Sequence, residues 1–379
     1  MQKKVIVAGH ICIDITPAMK GRSVQDIGDY LSPGKLINVG SADIHTGGVV
    51  ANTGLAMKLL GADVSLAGKI GDDSFGSMIE SIVSVYGAEK GLIKKKGEST
   101  SYSIVLAIPG VDRIFLHNPG ANDTFTADDI PADLLNDAAL FHFGYPPIMK
   151  KMYENDGEEL ARVMKLARDA GAATSLDLSA VDPDSEAGKA DWKKILSKVL
   201  PLTDIFVPSI EELAFMLDRD MYMRVSERAG NKDFTSALSL DKDIIPLAEQ
   251  CLNMGTGIIL IKCGAPGMYY HTAGEERIKK ISGRAGLDAA GWAGKSGFEK
   301  SFKPERILSG TGAGDTSAAA FLTSLLNGCP VEKCAVYAAA TGACCVTGYD
   351  ALSGLKSFDE IDKMISSGWE KTKEELYAG

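Results

Sequence analysis

Short apolar runs alternate along most of the chain with longer segments that carry apolar residues three and four positions apart. The short runs are typical of buried strands, and the longer segments are typical of helices with one buried face. This alternation predicts a mostly parallel sheet with helices on both faces. Strands are predicted at 5–9, within 62–76, and at 139–143, 174–178, 205–207 and 258–262, and helices at about 49–60, 78–86, 160–170, 192–199, 210–217 and 244–252.

A pair of antiparallel strands interrupts this alternation. Residues 101–107 and 113–116 alternate between apolar and polar positions, and a turn at 108–110 joins them. A hairpin inside an alternating chain suggests a lid. We expect a lid subdomain from about 17–45 and 91–117, inserted in a single domain that spans 1–379. Two further stretches are polar or rich in glycine and are interpreted as loop insertions, at 219–243 and 283–303.

Composition and charge argue against several kinds of partner. The chain of 379 residues is 45% hydrophobic and 24% charged, which is ordinary for a globular protein. Its formal net charge of -10 argues against nucleic acid, and no apolar run is long enough to cross a membrane. Seven cysteines, an odd number without a Cys-x-x-Cys pair, predict reduced thiols. With no signal peptide at the start of the chain, we expect a cytoplasmic protein.

A glycine-rich stretch near the C-terminus carries the strongest chemical signal. Gly310, Gly312 and Gly314 lead directly into an alanine-rich segment that favours a helix. Amides at the start of a helix favour negative charge, yet Asp315 stands at this position. Two interpretations stay open for its carboxylate: a cap for the helix, or a base beside a phosphate-binding loop.

A second group of polar candidates lies near the N-terminus. Asp14 follows the first predicted strand, where ligands gather in parallel sheets, although Asp also forms turns there. Gly47 and Gly48 precede a helix that Gly61 ends, and Asn52 lies just inside it. This arrangement either forms a simple turn or lets a small polyol approach the backbone and meet an amide side chain.

Taken together, these motifs resemble the PfkB, or ribokinase-like, family of carbohydrate and nucleoside kinases. The resemblance covers nearly the whole chain and depends on the order and spacing of motifs that are individually weak. They are Gly9 to Asp14, Gly47-Gly48 with Asn52, Gly61 to Gly76, Gly120-Ala121-Asn122, Pro208 to Leu213, Gly264-Ala265-Pro266-Gly267 and Gly312-Ala313-Gly314-Asp315-Thr316. The resemblance implies a three-layer α/β/α fold with a mostly parallel central sheet and a small β-lid.

The resemblance also implies a role for each motif. Asp315 would accept the proton of a substrate hydroxyl, and Glu212 would organise Mg²⁺ through water. The amides of Gly312, Ala313 and Gly314 would hold the developing charge of the phosphoryl group. The implied ligands fall into two sets: for the sugar Asp14, Gly47, Gly48 and Asn52, and for ATP Thr311, Gly264, Gly267 and Gly342. ATP and Mg²⁺ are the expected cofactors and K⁺ is a possible one, while a lid shared across a homodimer is a further family trait.

The chain departs from the family pattern at several of these positions. Ser209 stands where the family motif has Asn, and Ser309 stands where many members have Asp. Cys12 replaces a polar residue that helps to bind ribose in ribose-specific relatives, which argues against ribose as the substrate. The small apolar segment 338–347, which contains Gly342, suits either adenine binding or a tightly packed core helix. Additional candidates for substrate contact are Arg113, His117, His142 and Asp177.

The leading hypothesis from the sequence is an ATP-dependent kinase for a hydroxyl of a sugar or sugar-like polyol. Two alternatives stay open: a kinase for nucleosides such as adenosine, and a non-catalytic relative that only binds a sugar or a nucleotide. Asp315 and Glu212 argue against the second alternative, because binding alone needs neither a base nor a metal organiser.

Overall fold

A computed structural model of the protein describes residues 2–21, 23–24, 26–110, 114–281 and 283–377. These residues contain thirteen strands: β1 Lys4–Gly9, β2 Cys12–Pro17, β3 Ala42–Gly47, β4 Asp63–Gly71, β5 Ile93–Lys95, β6 Tyr102–Leu106, β7 Ile114–Asn118, β8 Leu140–Gly144, β9 Ala173–Asp177, β10 Ile205–Phe206, β11 Ile258–Lys262, β12 Gly267–Thr272 and β13 Ser296–Lys300. The described part of the chain also contains fourteen α-helices: α1 Gly48–Leu59, α2 Ser74–Ser84, α3 Lys150–Tyr153, α4 Glu158–Asp169, α5 Glu186–Lys189, α6 Trp192–Val199, α7 Ile210–Leu217, α8 Arg219–Ala229, α9 Ile245–Asn253, α10 Glu275–Ile278, α11 Ala289–Trp292, α12 Ala313–Leu326, α13 Val331–Cys345 and α14 Phe358–Ser366.

The central sheet has nine strands among the described residues, in the order β13-β12-β11-β10-β9-β8-β1-β4-β5. Neighbouring strands from β5 across to β11 run parallel, and β12 and β13 add an antiparallel edge. Alternate residues of β1 face opposite layers, as the pleat of a strand requires. Val5 and Val7 pack with α1, α12 and α13, whereas Ile6 and Ala8 pack with α4, α6, α7 and α9. The predicted three-layer α/β/α arrangement is confirmed.

A separate four-stranded sheet, again counted over the described residues, forms the lid in the order β3-β2-β6-β7. The predicted hairpin corresponds to β6 and β7, which pair antiparallel. The expected lid segment 91–117 began too early, because β5 pairs parallel with β4 in the central sheet. The expected segment 17–45 was too short at both ends, since β2 begins at Cys12 and β3 ends at Gly47.

The two predicted loop insertions contain regular structure. Segment 219–243 includes α8, whose Met221 and Val225 are buried. Segment 283–303 includes α11 and β13, and β13 extends the central sheet by pairing with β12. The low hydrophobicity of these segments did not indicate loops, because an edge strand and a surface helix each bury only one side.

Two further features concern the state of the cysteines and the length of the apolar helices. All seven cysteines are free thiols and six of them are buried. Over the described residues, the structure contains no helix with the length and apolar character needed to span a bilayer. The cytoplasmic location stays a prediction.

The contact between β1 and β8 depends on two glycines at their carboxyl ends. Gly9 and Gly144 are partners in the parallel register, and Gly9 has φ of 119°, a value that side chains rarely allow. A Cβ atom added at Gly9 would overlap the Gly144 carbonyl oxygen. The two strand ends can therefore approach closely only with glycine at this position.

We predict that Gly9→Ala lowers the free energy of unfolding by about 3 kcal/mol, because the methyl group adds both backbone strain and a clash. Gly283→Ala is the matched control, since a Cβ atom there would meet nothing within 4 Å. Denaturant unfolding of both variants measures the difference. Equal stability of the two variants would contradict the prediction.

Candidate active site

The candidate site lies at the carboxyl ends of β1 and β8, where the direction of the strand order reverses. β4 flanks β1 on one side and β8 flanks it on the other. Ligands of open α/β sheets bind at such a switch point because the connections leave in opposite directions and open a crevice. His10 follows β1 and Tyr145 follows β8, and their ring centres lie 6.0 Å apart. Both side chains therefore lie side by side at this edge of the sheet.

Asp315 lies in the first turn of α12, which begins after Gly312 in the left-handed conformation (φ 76°). The Asp315 side chain is buried, with only 4% of the residue exposed. Its Oδ2 accepts a hydrogen bond from Asn52 Nδ2 at 2.9 Å, and its Oδ1 accepts one from the Tyr145 hydroxyl at 2.6 Å. The carboxylate thus contacts α1 and the end of β8 rather than capping its own helix.

The predicted sugar ligands come together beside this carboxylate. A Cβ atom at Gly47 would overlap the Asp14 carboxylate, and one at Gly48 would lie 2.5 Å from His10 Nδ1. Both glycines therefore allow close packing around the site. Burial raises the pKa of Asp14 above its ordinary value, and the negative charge of Asp315 adds to this shift. Cys12 Sγ donates a hydrogen bond to Asp14 Oδ1 at 3.3 Å.

A cleft of about 700 Å³ opens between the lid and the loop before α12. Asp14, Thr16, Asp43 and His45 are among the residues that line it from β2 and β3 of the lid. The opposite wall and the floor include Asn52, Ser309, Gly310, Thr311 and Asp350. The cleft thus presents hydroxyl, amide and carboxylate groups to an occupant.

A buried ion pair lies on the other side of Asp315. Lys262 Nζ, at the end of β11, is 2.8 Å and 2.7 Å from the two carboxylate oxygens of Asp177, at the end of β9. Burial alone would lower the pKa of Lys262, but the charges of Asp177, Glu212 and Asp315 outweigh it and raise the pKa. Burial raises the pKa of Asp177, and the Lys262 ammonium opposes that rise. Lys262 therefore supplies a fixed positive charge.

The predicted anion-binding loop lies next to this ammonium group. A Cβ atom at Gly314 would lie 3.5 Å from Lys262 Nζ. The Ala313 N–H donates a long hydrogen bond to the Gly310 carbonyl at 3.3 Å, so the loop is closed on itself by a weak contact. Positive charge and helix-terminal amides thus meet at the start of α12.

Glu212, the predicted organiser of Mg²⁺, also caps its own helix. Its Oε2 accepts the Ser209 N–H at 2.8 Å, and its N–H donates to Ser209 Oγ at 3.3 Å, which together form a capping box at the start of α7. Ser209, which stands where the family motif has Asn, therefore serves as the N-cap of α7. Glu212 remains close enough to act electrostatically on Lys262, Asp177 and Tyr145.

Three of the predicted nucleotide ligands are glycines, and at each one a side chain would crowd a neighbouring segment. A Cβ atom at Gly267 would overlap the Glu299 carbonyl oxygen of β13, and one at Gly264 would lie 3.1 Å from Thr235. At Gly342 it would lie 2.5 Å from Ser317 Oγ, so this glycine lets α13 approach α12. Their role in binding ATP stays a prediction.

The additional candidates are placed very differently. His117 lies on the lid, with Nδ1 3.0 Å from Ser103 Oγ and its ring centre 5.2 Å from that of His10. His142 is buried inside β8 and its Nδ1 lies 2.9 Å from Ser175 Oγ, so it is a core residue. Burial, with the nearby charge of Lys262, lowers the pKa of His142 to about 3. Arg113 lies outside the described residues.

Sequence reasoning missed His10, Tyr145 and Lys262. Each lies at or directly after the carboxyl end of a parallel strand, the position that made Asp14 a candidate. Applying the same rule to every predicted strand would have found all three. Neither ring nitrogen of His10 has a hydrogen-bond partner among the described residues, although the side chain is buried.

A carboxylate buried at a helix start and bonded to Asn52, which lines a polar cleft beside a small lid, is typical of ribokinase-like phosphotransferases. The model of the pfkB carbohydrate kinase family matches residues 2–357, so the chain belongs to the PfkB family and is a carbohydrate kinase. Fructokinase-2 of Solanum lycopersicum is 25% identical, and the match covers 96% of each chain.

Solved structures support the fold. A fructokinase with bound ATP from Xylella fastidiosa matches with a TM-score of 0.69 at 19% identity, over 97% of this chain and 99% of the other. An Arabidopsis thaliana ribokinase complexed with ribose and ATP matches with a TM-score of 0.70 at 19% identity, over 96% and 99% of the two chains. The predicted ribokinase-like fold is confirmed.

We predict that Lys262→Met destabilises the protein by about 3–5 kcal/mol near pH 8, because it leaves the Asp177 charge buried without a partner. Burial then holds the pKa of Asp177 in the folded state above its unfolded value of about 3.9. The folded state binds more protons, so the stability of this variant falls as the pH rises from about 4 towards that raised pKa.

Unfolding in denaturant from pH 5 to pH 8 measures this dependence. Lys262→Met with Asp177→Asn is the matched control, because it removes both charges and should recover most of the loss at pH 8. A single variant as stable as the wild type at pH 8 would show that the ion pair does not matter for folding.

Proposed function

We propose that this protein transfers the γ-phosphoryl group of ATP to a hydroxyl of a free sugar or sugar-like polyol. The observation that carries the proposal is the position of the Asp315 carboxylate, which lies at the start of α12 and is bonded to Asn52, a residue that lines the cleft. A base must reach both the acceptor hydroxyl and the site of the phosphoryl group. The place of Asp315 at the helix start and its bond to a residue of the cleft support this role.

In this mechanism Asp315 accepts the proton of the acceptor hydroxyl as the oxygen attacks phosphorus. Asp14 and Asn52 bind other hydroxyls of the sugar, since carboxylate and amide groups offer the acceptors and donors that polyols require. Gly47 and Gly48 leave room for the sugar beside the backbone. The attacking oxygen becomes a better nucleophile as the proton leaves.

The loop and Lys262 stabilise the charge on the phosphoryl group. Phosphoryl transfer depends mainly on positioning and electrostatic stabilisation, which amides at a helix start supply without reorganisation. The Ala313 N–H gives up its long bond to Gly310 when a phosphate oxygen replaces that carbonyl. Lys262, held beside Gly314 by Asp177, adds a full positive charge.

The residues present fit Mg²⁺ that arrives with ATP. Mg²⁺ keeps several waters and is bound by phosphates plus one or two carboxylates. Glu212 offers one carboxylate oxygen beyond the one used in its capping box. The described residues contain no group of three or more metal-binding side chains, which suits an ion held mainly by phosphate and water. When bound, Mg²⁺ would neutralise charge that develops on the phosphate oxygens.

Fructose is the first acceptor to test. Fructokinase-2 of Solanum lycopersicum matches the chain over nearly its full length, and Cys12 replaces a polar residue that ribose-specific relatives use. A nucleoside is the second candidate, because a cleft of about 700 Å³ is larger than a monosaccharide needs. A non-catalytic role is the third, and it requires binding without turnover.

We predict that a panel of free sugars and nucleosides, with ATP and Mg²⁺, identifies a sugar as the best acceptor. Asp315→Asn should then lower kcat by about 10²–10⁴-fold, because the proton acceptor is lost. Asp359→Asn is the matched control, since Asp359 is an exposed aspartate in the first turn of α14. ADP formation measures turnover, and runs with and without KCl test the possible K⁺ requirement.

Three outcomes would overturn parts of this proposal. Turnover only with nucleosides would favour the second candidate. Saturable binding of a sugar in a thermal-shift assay, with no ADP from any acceptor, would favour the non-catalytic role. Near wild-type turnover of Asp315→Asn would remove Asp315 from the mechanism.

We also propose that the lid pairs with the lid of a second copy. One residue of each lid strand lies in a continuous apolar row across the sheet, through the paired residues Ile44, Ile15, Ile104 and Leu116. Ile15 lies between Asp14 and Thr16, which face the cleft, so the row faces the other side. Ile44 and Leu116 are 40% and 52% exposed, as is typical of an interaction surface.

We predict that the wild-type protein is a dimer and that Leu116→Asp converts it to a monomer, because the charge would be buried without a partner. Val85→Asp is the control, since Val85 is 81% exposed at the end of α2 and outside the lid. Sedimentation velocity measures the mass. A monomeric wild-type protein would exclude the lid dimer.

A further inference from the structure

Tyr145 has an unusual backbone conformation directly after β8. It adopts the left-handed conformation, with φ of 68° and ψ of 39°, which costs free energy for a residue with a side chain. Gly144 ends β8 before it, and Pro146 and Pro147 begin a short 3₁₀ turn after it. The Tyr145 N–H donates to the Asp177 carbonyl at 3.4 Å. The chain therefore turns sharply at this point and directs the phenol across the end of the sheet.

In this backbone conformation, the Tyr145 phenol contacts the Asp315 carboxylate. Its hydroxyl donates to Asp315 Oδ1 at 2.6 Å, while Asn52 donates to the other carboxylate oxygen at 2.9 Å. Burial raises the pKa of Tyr145 well above its usual value, and the negative charges of Asp315 and Asp177 raise it further. The phenol therefore keeps its proton and acts as a donor throughout the working pH range.

We propose that Tyr145 is a positioning residue that holds the Asp315 carboxylate towards the acceptor hydroxyl and favours its ionised form. This inference rests on the proposed function of Asp315 as the base. One neutral donor on each oxygen fixes the plane of the carboxylate, and each oxygen keeps lone pairs for the acceptor hydroxyl. A hydrogen bond to the charged form of an acid stabilises that form over the protonated one.

The other titratable groups around Asp315 come from several elements and stay in place when the phenol is removed. Those that act electrostatically on Asp315 are Asp14 from β2, Asp177 from β9, Lys262 from β11 and Cys345 from α13. Glu212 from α7 acts on Lys262, Asp177 and Tyr145. Tyr145→Phe keeps the ring and all these groups, so its effect isolates one hydrogen bond.

The first test needs no substrate. In protein labelled with ¹³C at the aspartate carboxyls, the Asp315 signal is the one that disappears in Asp315→Asn. We expect its titration midpoint in Tyr145→Phe to rise by about one to two pH units relative to the wild type, as the loss of a hydrogen bond to a charged group implies. An unchanged midpoint would overturn the proposal, whether or not a substrate is known.

Tyr337→Phe is the matched control. The Tyr337 hydroxyl donates to Asp362 Oδ2 at 2.8 Å, so this variant also loses a tyrosine–aspartate hydrogen bond, but between α13 and α14. The Asp315 midpoint should not move in this variant. A shift of similar size in Tyr337→Phe would show that general destabilisation, and not the Tyr145 phenol, sets the midpoint.

The second test uses the best acceptor from the panel. In Tyr145→Phe, the acid limb of the kcat–pH profile should move to higher pH, and kcat at neutral pH should fall by about 10-fold or more, with a smaller change in KM. A change in KM alone, with the acid limb unmoved, would contradict the proposal and make Tyr145 a binding residue only. If Asp315→Asn keeps near wild-type turnover, Asp315 is not the base, and the midpoint of the carboxyl signal still decides whether the phenol stabilises the carboxylate.

Discussion

The site depends on the close approach of β1 and β8 at Gly9 and Gly144. These strands are neighbours in space but far apart in the sequence, and the chain turns away from both ends in different directions. Because Gly9 has no Cβ atom, the strand ends come together and His10 and Tyr145 lie side by side, while the missing Cβ of Gly144 makes room for Val49 of α1. The crevice thus forms beside a close contact between two central strands, which gives its side chains a firm support.

Electrostatic repulsion is the main cost of this arrangement. Asp14, Asp177, Asp315 and Glu212 converge on the same edge of the sheet, and burial raises the pKa of Asp14 and of Asp177. Lys262 offsets part of this cost by pairing with Asp177 in a bidentate contact. Neutral donors and backbone amides satisfy the other carboxylates, including the capping box that holds Glu212. The site is therefore negatively charged overall, which suits a neutral acceptor and a metal-bound nucleotide.

Much of the fold and about half of the site could be predicted because both depend on local sequence. Periodicity found the parallel strands, and glycine spacing found the loop before α12 and the pair before α1. The lid limits and the two supposed insertions were less predictable, since β5 has only three residues and β13 is a polar strand at the edge of the sheet. His10 lies inside a motif that gave it no role, Tyr145 and Lys262 belong to no motif, and only the strand order shows that the three meet.

Asp177 and Asp315 differ in the partners that hold them, and this difference fits the role proposed for Asp315. A cation in direct contact with a carboxylate lowers its affinity for a proton, which would weaken a base. Asp177 has such a contact and is suited to fixing Lys262, whereas the Asp315 carboxylate accepts hydrogen bonds from the neutral donors Asn52 and Tyr145. Lys262 forms its ion pair with Asp177 and not with Asp315. In the proposed mechanism its positive charge therefore acts on the phosphate and makes no direct contact with the Asp315 carboxylate. The ion pair thus holds the Lys262 ammonium group away from direct contact with Asp315, the proposed base.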